Sequence, residues 1–223
     1  MLSVQLPLVV AVVIAYVSGS IPSAYIAGRL RGIDLRQHGS GNLGATNVVR
    51  VLGIGIGSVV FIVDTLKGFV PVFFLPALTG TAQPELVGLT LGAAAILGHV
   101  RPVFLLGQKG GKGVATAGGV FLGLAWLPAL LAICVFIVVF ATSRWVSVAS
   151  LSAATALPFA FLFTGSSITD PLFLASVVVG LFVFFTHRAN IGRLRRGEEP
   201  RFTRASRQKP ESKQPRTFDH GRS

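Results

Sequence analysis

The sequence predicts an all-α, polytopic membrane protein, on three observations. The 223 residues are 52% hydrophobic with a mean hydropathy of +0.71 and only 13% are charged, where soluble chains carry roughly a quarter. Long apolar stretches recur from one end of the chain to near the other. The short connections between them alternate between strongly basic and free of Lys and Arg.

The first apolar stretch covers residues 4–26, and no charged residue stands between Met1 and Gly28. That length meets the roughly 20 residues a helix needs to cross a hydrocarbon core. A cleaved signal peptide is disfavoured, because no basic segment precedes the run and no small-x-small cleavage site follows it. Further stretches cover residues 54–78, 86–106, 114–141, 146–163 and 171–186. Within them Gly88, Gly92 and Ala93, or Gly119 and Gly123, have the small-residue spacing of closely packed membrane helices. Asp64 and Lys67 lie three residues apart on one helical face, where they can neutralise one another or touch a substrate. The single Cys134 lies in an apolar run and reads as a packing or lipid-facing residue, with no metal-binding spacing around it.

Connection 28–50 holds Arg29, Arg31, Arg36 and Arg50, connection 101–113 holds Arg101, Lys109 and Lys112, and a short link holds Arg144. The connections around Glu85 and Asp170 contain no Lys or Arg. Positive-inside bias assigns the basic set to the cytoplasm. An even number of crossings must then separate Lys112 from the basic C-terminal region. Dividing 114–141 at Trp126-Leu127-Pro128, where proline interrupts one helix and can begin another, satisfies that parity. The prediction is about seven spans, N-terminus outside and C-terminus cytoplasmic, with two short helices of roughly 13 residues each, about 20 Å long, on either side of the division.

The net charge of +12 does not mark a nucleic-acid binder, because eleven of the 20 basic residues lie at or after Arg188. Residues 1–199 are expected to form the membrane domain. Residues 200–223, basic and proline-bearing with little to bury, are expected to be a disordered cytoplasmic tail beside anionic lipid.

Chemistry concentrates in the basic connections. The first reads His38-Gly39-Ser40-Gly41-Asn42-Leu43-Gly44-Ala45-Thr46-Asn47-Val48-Val49-Arg50. Glycines let backbone N–H groups converge on one anion, Ser40 and Thr46 add hydroxyls, a following helix adds its positive end, and Arg50 adds a bidentate fork. Gly39-x-Gly41-x-x-Gly44 matches a dinucleotide fingerprint only superficially, since the βαβ context is missing. The second connection carries Gly110-Gly111-Lys112-Gly113 at a helix start. It differs from a Walker A loop in spacing and in the residue after Lys112. Lys112 is the preferred anion ligand and Lys109 a topological charge, while His99 caps or braces the loop. After the last span, His187 and Asn190 share a helical face if the helix continues, followed by Arg193 and Glu199. No His-x-x-x-x-Asp or Gly-x-Ser-x-Gly pattern supports a covalent acyl-enzyme.

Together, Gly39–Arg50, Asp64-Thr65-Leu66-Lys67-Gly68, Gly98-His99 through Thr116, Ser143-Arg144-Trp145-Val146-Ser147 and His187-Arg188-Ala189-Asn190-Ile191 resemble the bacterial membrane acyl-phosphate:glycerol-3-phosphate acyltransferases of the PlsY type. The resemblance extends through Glu199. Arg101 and the segment after Pro200 depart from the pattern. The resemblance implies transfer of a fatty acyl group from acyl phosphate to the 1-hydroxyl of glycerol 3-phosphate, giving lysophosphatidic acid and phosphate at the cytoplasmic face of the inner membrane. It implies catalytic roles for Arg50, Lys112, His187 and Asn190. Substrate binding then falls to Ser40, Gly41, Asn42, Gly44, Thr46, Asn47, Gly110, Gly111 and Gly113. No metal, cofactor, nucleic acid or obligate protein partner is expected; membrane lipid is. The proton acceptor is His187 or a substrate phosphate. A phosphate-ester transporter and a lipid-binding scaffold are the rival classes: the first lacks an internal repeat, and the second leaves the loop motifs unexplained.

Overall fold

The computed structural model describes residues 5–202, so most of the predicted tail lies outside the described residues. The described chain is helical. Five helical stretches are long and apolar enough to cross a membrane, and a sixth joins them if its bent pair is one span.

The first apolar run is two helices, α1 (Leu8–Ser20) and α2 (Ser23–Arg29), not one. Pro22 has no N–H to give the ladder and restricts Ile21 before it. Ile21 takes an extended ψ of 113°, and its carbonyl turns to accept a bond from Lys67 Nζ at 2.9 Å. The first basic connection contains an unexpected helix, α3 (Ala45–Leu52). It is followed by α4 (Ile54–Leu78), whose limits match the apolar run. α5 (Pro84–Val100) ends before Pro102, and Val103–Leu105 form one tighter turn, so the run predicted over 86–106 is shorter as a helix.

The run 114–141 is divided as parity requires, into α6 (Val114–Leu124) and α7 (Trp126–Ser143). Ala125 adopts φ −152°, and Pro128 then sits in the first turn of α7 where no N–H is missed. The two halves are unequal, 11 and 18 residues, because Ser143 and the left-handed Arg144 end α7 later than expected. α8 (Val146–Phe163) and α9 (Pro171–Thr186) coincide with their apolar runs. Asp170 caps α9 by accepting from Leu172 N at 2.8 Å, with Pro171 at its first position. α10 (Arg188–Arg195) leaves the line of α9 at 58°.

α4 is central and packs on α1, α3, α5 and α6, while α7, α8 and α9 form a neighbouring layer. Large apolar side chains such as Val9, Phe61, Phe73, Phe163 and Leu181 face outward, as a lipid-immersed surface requires. Since lipid is as apolar as leucine, close packing rather than hydrophobic exclusion holds such helices together. A Cβ placed on Gly119 would lie 2.0 Å from the carbonyl oxygen of Thr65, so α4 and α6 touch backbone to backbone.

The basic connections meet at one end of the bundle. Arg36 reaches Gln108, Lys112 reaches Asn190, and the Phe202 amide donates to Arg144 O at 2.7 Å. At the other end Leu6 N donates to Leu78 O at 2.8 Å. Gly119→Ala should lower the thermal midpoint in detergent, the overpacking amounting to about 1–3 kcal/mol. Its neighbour Gly118→Ala, with nothing within 4 Å of the added methyl, should melt as the parent does.

Candidate active site

The first connection is pinned before it reaches α3. Asp34 Oδ1 accepts from Arg36 N at 3.0 Å, and the Arg36 guanidinium closes on the same carboxylate at 2.6 Å and on Gln108 Oε1 at 2.7 Å. Arg36's side-chain bonds, followed by its backbone bond, hold the Asp34 carboxyl down at about 2. Gly39 and Gly41 take φ of 61° and 69°, left-handed turns in which glycine avoids the steric penalty of a side chain.

Asn47 belongs to this scaffold. It is 2% exposed; its Oδ1 accepts from Ser40 N at 2.8 Å, and its Nδ2 donates to Leu35 O and His38 O. With its amide occupied in this way Asn47 braces the loop. The Gly41 amide is likewise engaged, by His38 O at 3.1 Å. What stays open is the start of α3. Gly44 is extended and no side chain caps the helix. Thr46 stands in the first turn and Arg50 four residues later on the same face. Among the described residues no hydrogen bond engages the side chains of Ser40, Asn42, Thr46 or Arg50. α3 thus presents unclaimed N–H groups, a hydroxyl and a guanidinium, the groups that hold a phosphate at a helix N-terminus.

The second connection rests on a buried polar cluster. Asp64 and Lys67 are paired at 2.9 Å, with side chains 2% and 4% exposed, which is the ion-pair alternative expected from their spacing. Ser23 donates to the same carboxylate, and His99 Nδ1 lies 3.8 Å from it. The loop then packs onto His99: a Cβ on Gly110 would be 2.1 Å from its carbonyl oxygen, and one on Gly111 would be 2.1 Å from its Nε2. Gly110 N donates to Val100 O at 3.0 Å. These two glycines are buried and serve close approach to the histidine, rather than lining the surface with free amides. His99 is the brace. Gly113, at φ 84°, starts α6 with no side-chain cap, and Lys109 is exposed.

Lys112, between them, turns to the corner where α9 meets α10. Its Nζ donates to Asn190 Oδ1, and its carbonyl accepts from Thr186 Oγ1 at 3.3 Å. Burial, only partly offset by the Glu199 carboxylate and reinforced by the positive charges of Arg193 and Arg50, lowers the ammonium to about 8. His187 sits at the bend, 3% exposed, with Nδ1 against Val183 O at 2.8 Å. That carbonyl only accepts, so Nδ1 carries the proton and Nε2 offers a lone pair. Burial first, then the Lys112 ammonium, depress this imidazole to about 4 and keep it neutral.

Sequence reasoning left Glu199 out of the site. Its carboxylate accepts from Asn190 Nδ2 at 2.6 Å and from Arg193 Nε at 2.8 Å. Burial alone would raise its pKa, but the bonds from Asn190 and Arg193 contribute to a net lowering. An acidic residue in an otherwise basic segment was the available signal. Lys112, Asn190, His187 and Arg50 therefore converge: the first two are bonded, and the other two lie within electrostatic reach of Lys112. Ser40, Asn42 and Gly44 stay on the first loop. No group of three His, Cys, Asp or Glu among the described residues could hold a metal ion.

The sequence and the fold are matched by known proteins. The family model described as glycerol-3-phosphate acyltransferase matches residues 9–197. A glycerol-3-phosphate acyltransferase of Geobacter sulfurreducens is 47% identical over 190 residues, covering 85% of this chain and 94% of the relative. That of Aquifex aeolicus is 44% identical, covering 86% and 97%. The crystal structure of PlsY (YgiH), an integral membrane glycerol 3-phosphate acyltransferase, in its glycerol 3-phosphate form superposes with a TM-score of 0.78 at 38% identity, covering 88% of this chain and 96% of that one. Its lysophosphatidic acid form gives 0.76 at 37% identity, covering 88% and 95%. The chain belongs to the glycerol-3-phosphate acyltransferase family and is a multi-pass membrane enzyme of the PlsY type.

Proposed function

We propose that the acyl donor is acyl phosphate, that the acceptor is the 1-hydroxyl of glycerol 3-phosphate, and that the products are lysophosphatidic acid and inorganic phosphate. The carrying observation is the bonded Lys112–Asn190 pair within electrostatic reach of Arg50, which stands in the last turn of α3 on the face that bears Thr46 at the helix's uncapped start. Such a site suits a reaction in which two phosphate-bearing substrates are drawn together. Acyl phosphate is a mixed anhydride, so orientation and charge stabilisation suffice without a protein nucleophile. The N–H groups of α3, with Ser40, Asn42, Gly44 and Thr46 around them, hold a phosphate; Arg50 and Lys112 hold its oxygens and the negative charge that grows on the leaving group. Gly41, Asn47, Gly110, Gly111 and Gly113 keep the two loops in shape for it.

The glycerol hydroxyl attacks the acyl carbonyl carbon, forming the ester C–O bond as the bond from that carbon to the phosphate oxygen breaks. His187 Nε2 accepts a hydrogen bond from the neighbouring 2-hydroxyl, which leaves the proton of the attacking hydroxyl free, and Asn190 orients the glycerol. The hydroxyl proton passes to a substrate phosphate, since a phosphate dianion, with a second pKa near 6, is a stronger base than an imidazole depressed to about 4. The basic connections face the cytoplasm of the inner membrane, with about seven crossings and the N-terminus outside. The break at Ala125 and the meeting of the basic connections at one end support this topology.

Purified protein should release phosphate from palmitoyl phosphate only when glycerol 3-phosphate is supplied; intact protein with no coupled release sinks the proposal, and glycerol 3-phosphate flux into sealed vesicles would favour a transporter. Arg50→Ala should lower turnover by at least about 10²-fold, the scale of one preorganised electrostatic group, and parent-like kinetics would remove Arg50 from the site. Lys112 is cationic below about 8 and neutral above it, so kcat/KM for glycerol 3-phosphate should fall as pH rises through that value. Lys112→Arg, whose cation does not titrate there, should flatten that limb whatever its effect on the plateau.

A further inference from the structure

The tail from residue 200 onward is expected to lie beyond the working part of the chain, yet residues 199–202 fold back across the link between α7 and α8. The Trp145 indole N–H donates to the Glu199 carbonyl at 3.0 Å. The Phe202 amide donates to Arg144 O at 2.7 Å, and its ring meets Phe140 edge-on at 5.4 Å. Arg201 lies over the Trp145 ring at 4.5 Å. These contacts fasten Glu199 from outside, while its carboxylate grips Asn190 from inside. Asn190 is thereby oriented: Nδ2 is committed to Glu199, so Oδ1 faces Lys112.

We infer that Trp145, Arg201 and Phe202 form a strap that positions Asn190 and Lys112 for the reaction, making all three positioning residues of the active site. This rests on the acyltransferase reading given above. A strap that merely anchored the chain end would leave the environment of Lys112 alone. This one acts along a chain of hydrogen bonds from Trp145 to the Glu199 carbonyl, from the Glu199 carboxylate to Asn190 and from Asn190 to Lys112, with Phe202, three residues on, tying the same backbone to Arg144. Arg50 on α3, Arg193 on α10 and His187 at the bend also face Lys112, and Glu199 is the carboxylate among them that holds its proton on. Slackening the strap lets that carboxylate retreat, while Arg50 and His187, which are not bonded to it, stay in place. The ammonium then loses its counter-charge, and its titration moves to lower pH.

The test uses the full chain in detergent with Phe202→Ala, Trp145→Phe and Phe202→Tyr. The chain has five lysines, so ¹³C-dimethylation gives a resolvable set of lysine signals by NMR, and Lys112→Arg identifies that of Lys112. In Phe202→Ala and Trp145→Phe the Lys112 signal should titrate at lower pH than in the parent, and the alkaline limb of kcat should move with it. Turnover should fall by about three- to tenfold, in line with the loss of one aromatic or hydrogen-bonded contact, with KM for glycerol 3-phosphate changing less. Phe202→Tyr, which keeps the ring, should restore all three. Parent-like titration of Lys112 in both weakened variants overturns the strap, even if their activity drops. Should Phe202→Ala not fold by circular dichroism, Phe202→Leu takes its place. A parent protein without coupled phosphate release would defeat the acyltransferase reading instead, while the lysine titration would still decide the strap.

Discussion

An ammonium and a carboxylate 2.9 Å apart, both almost wholly shielded, sit among apolar helices beneath the loops of this enzyme. Burying either charge alone costs several kcal/mol, and removing one partner of such a pair typically costs about 3–5 kcal/mol. The pair persists because hydrogen bonds from three neighbouring segments converge on it. Asp64 takes a bond from Ser23 on α2, Lys67 gives one to the carbonyl exposed where Pro22 breaks the first span, and the Asp64 backbone oxygen accepts from Thr116 on α6. His99 at the end of α5 stands against the same carboxylate and carries the second loop on its ring. Four helical segments and the second basic connection are thereby referred to a single point on α4.

Around that point the fold obeys the rules of a lipid solvent. Large side chains face outward, and the contacts between helices are made by small ones, as where Gly68 meets the backbone of Thr116 and Gly19 that of Ala95. Backbone contacts of this kind leave no room for adjustment, so the α1–α5 and α4–α6 pairs form a stiff frame. The site is assembled where that frame meets the layer of α7, α8 and α9, with Lys112 contributed by one side and Asn190 by the other.

Much of this was legible in the letters. The limits of α4, α8 and α9 could be read because polar or turn-forming residues end each apolar run, and the break near Ala125 followed from counting charges across the membrane. The break at Ile21 was hidden, because one proline in an apolar run reads equally as a kink or as a boundary, and the partner that settles it is 46 residues away. α3 was masked by the glycines and amides before it, which suppress the helical period. Asn47 has the same side chain whether it grips a ligand or a loop; only the three loop atoms around it decide. Gly110 and Gly111 were recognised as essential in kind, but what they make room for is an imidazole from another element. Glu199 was obscured by the basic composition around it.

The 11 residues of α6 rise only about 16 Å, half of a hydrocarbon core about 30 Å thick. One end is fixed by Gly113 beside a charged lysine and the other by the turn at Ala125. A helix of that length cannot join the two surfaces of a core of full thickness, so at most one of its ends can stand at an undeformed boundary between water and oil.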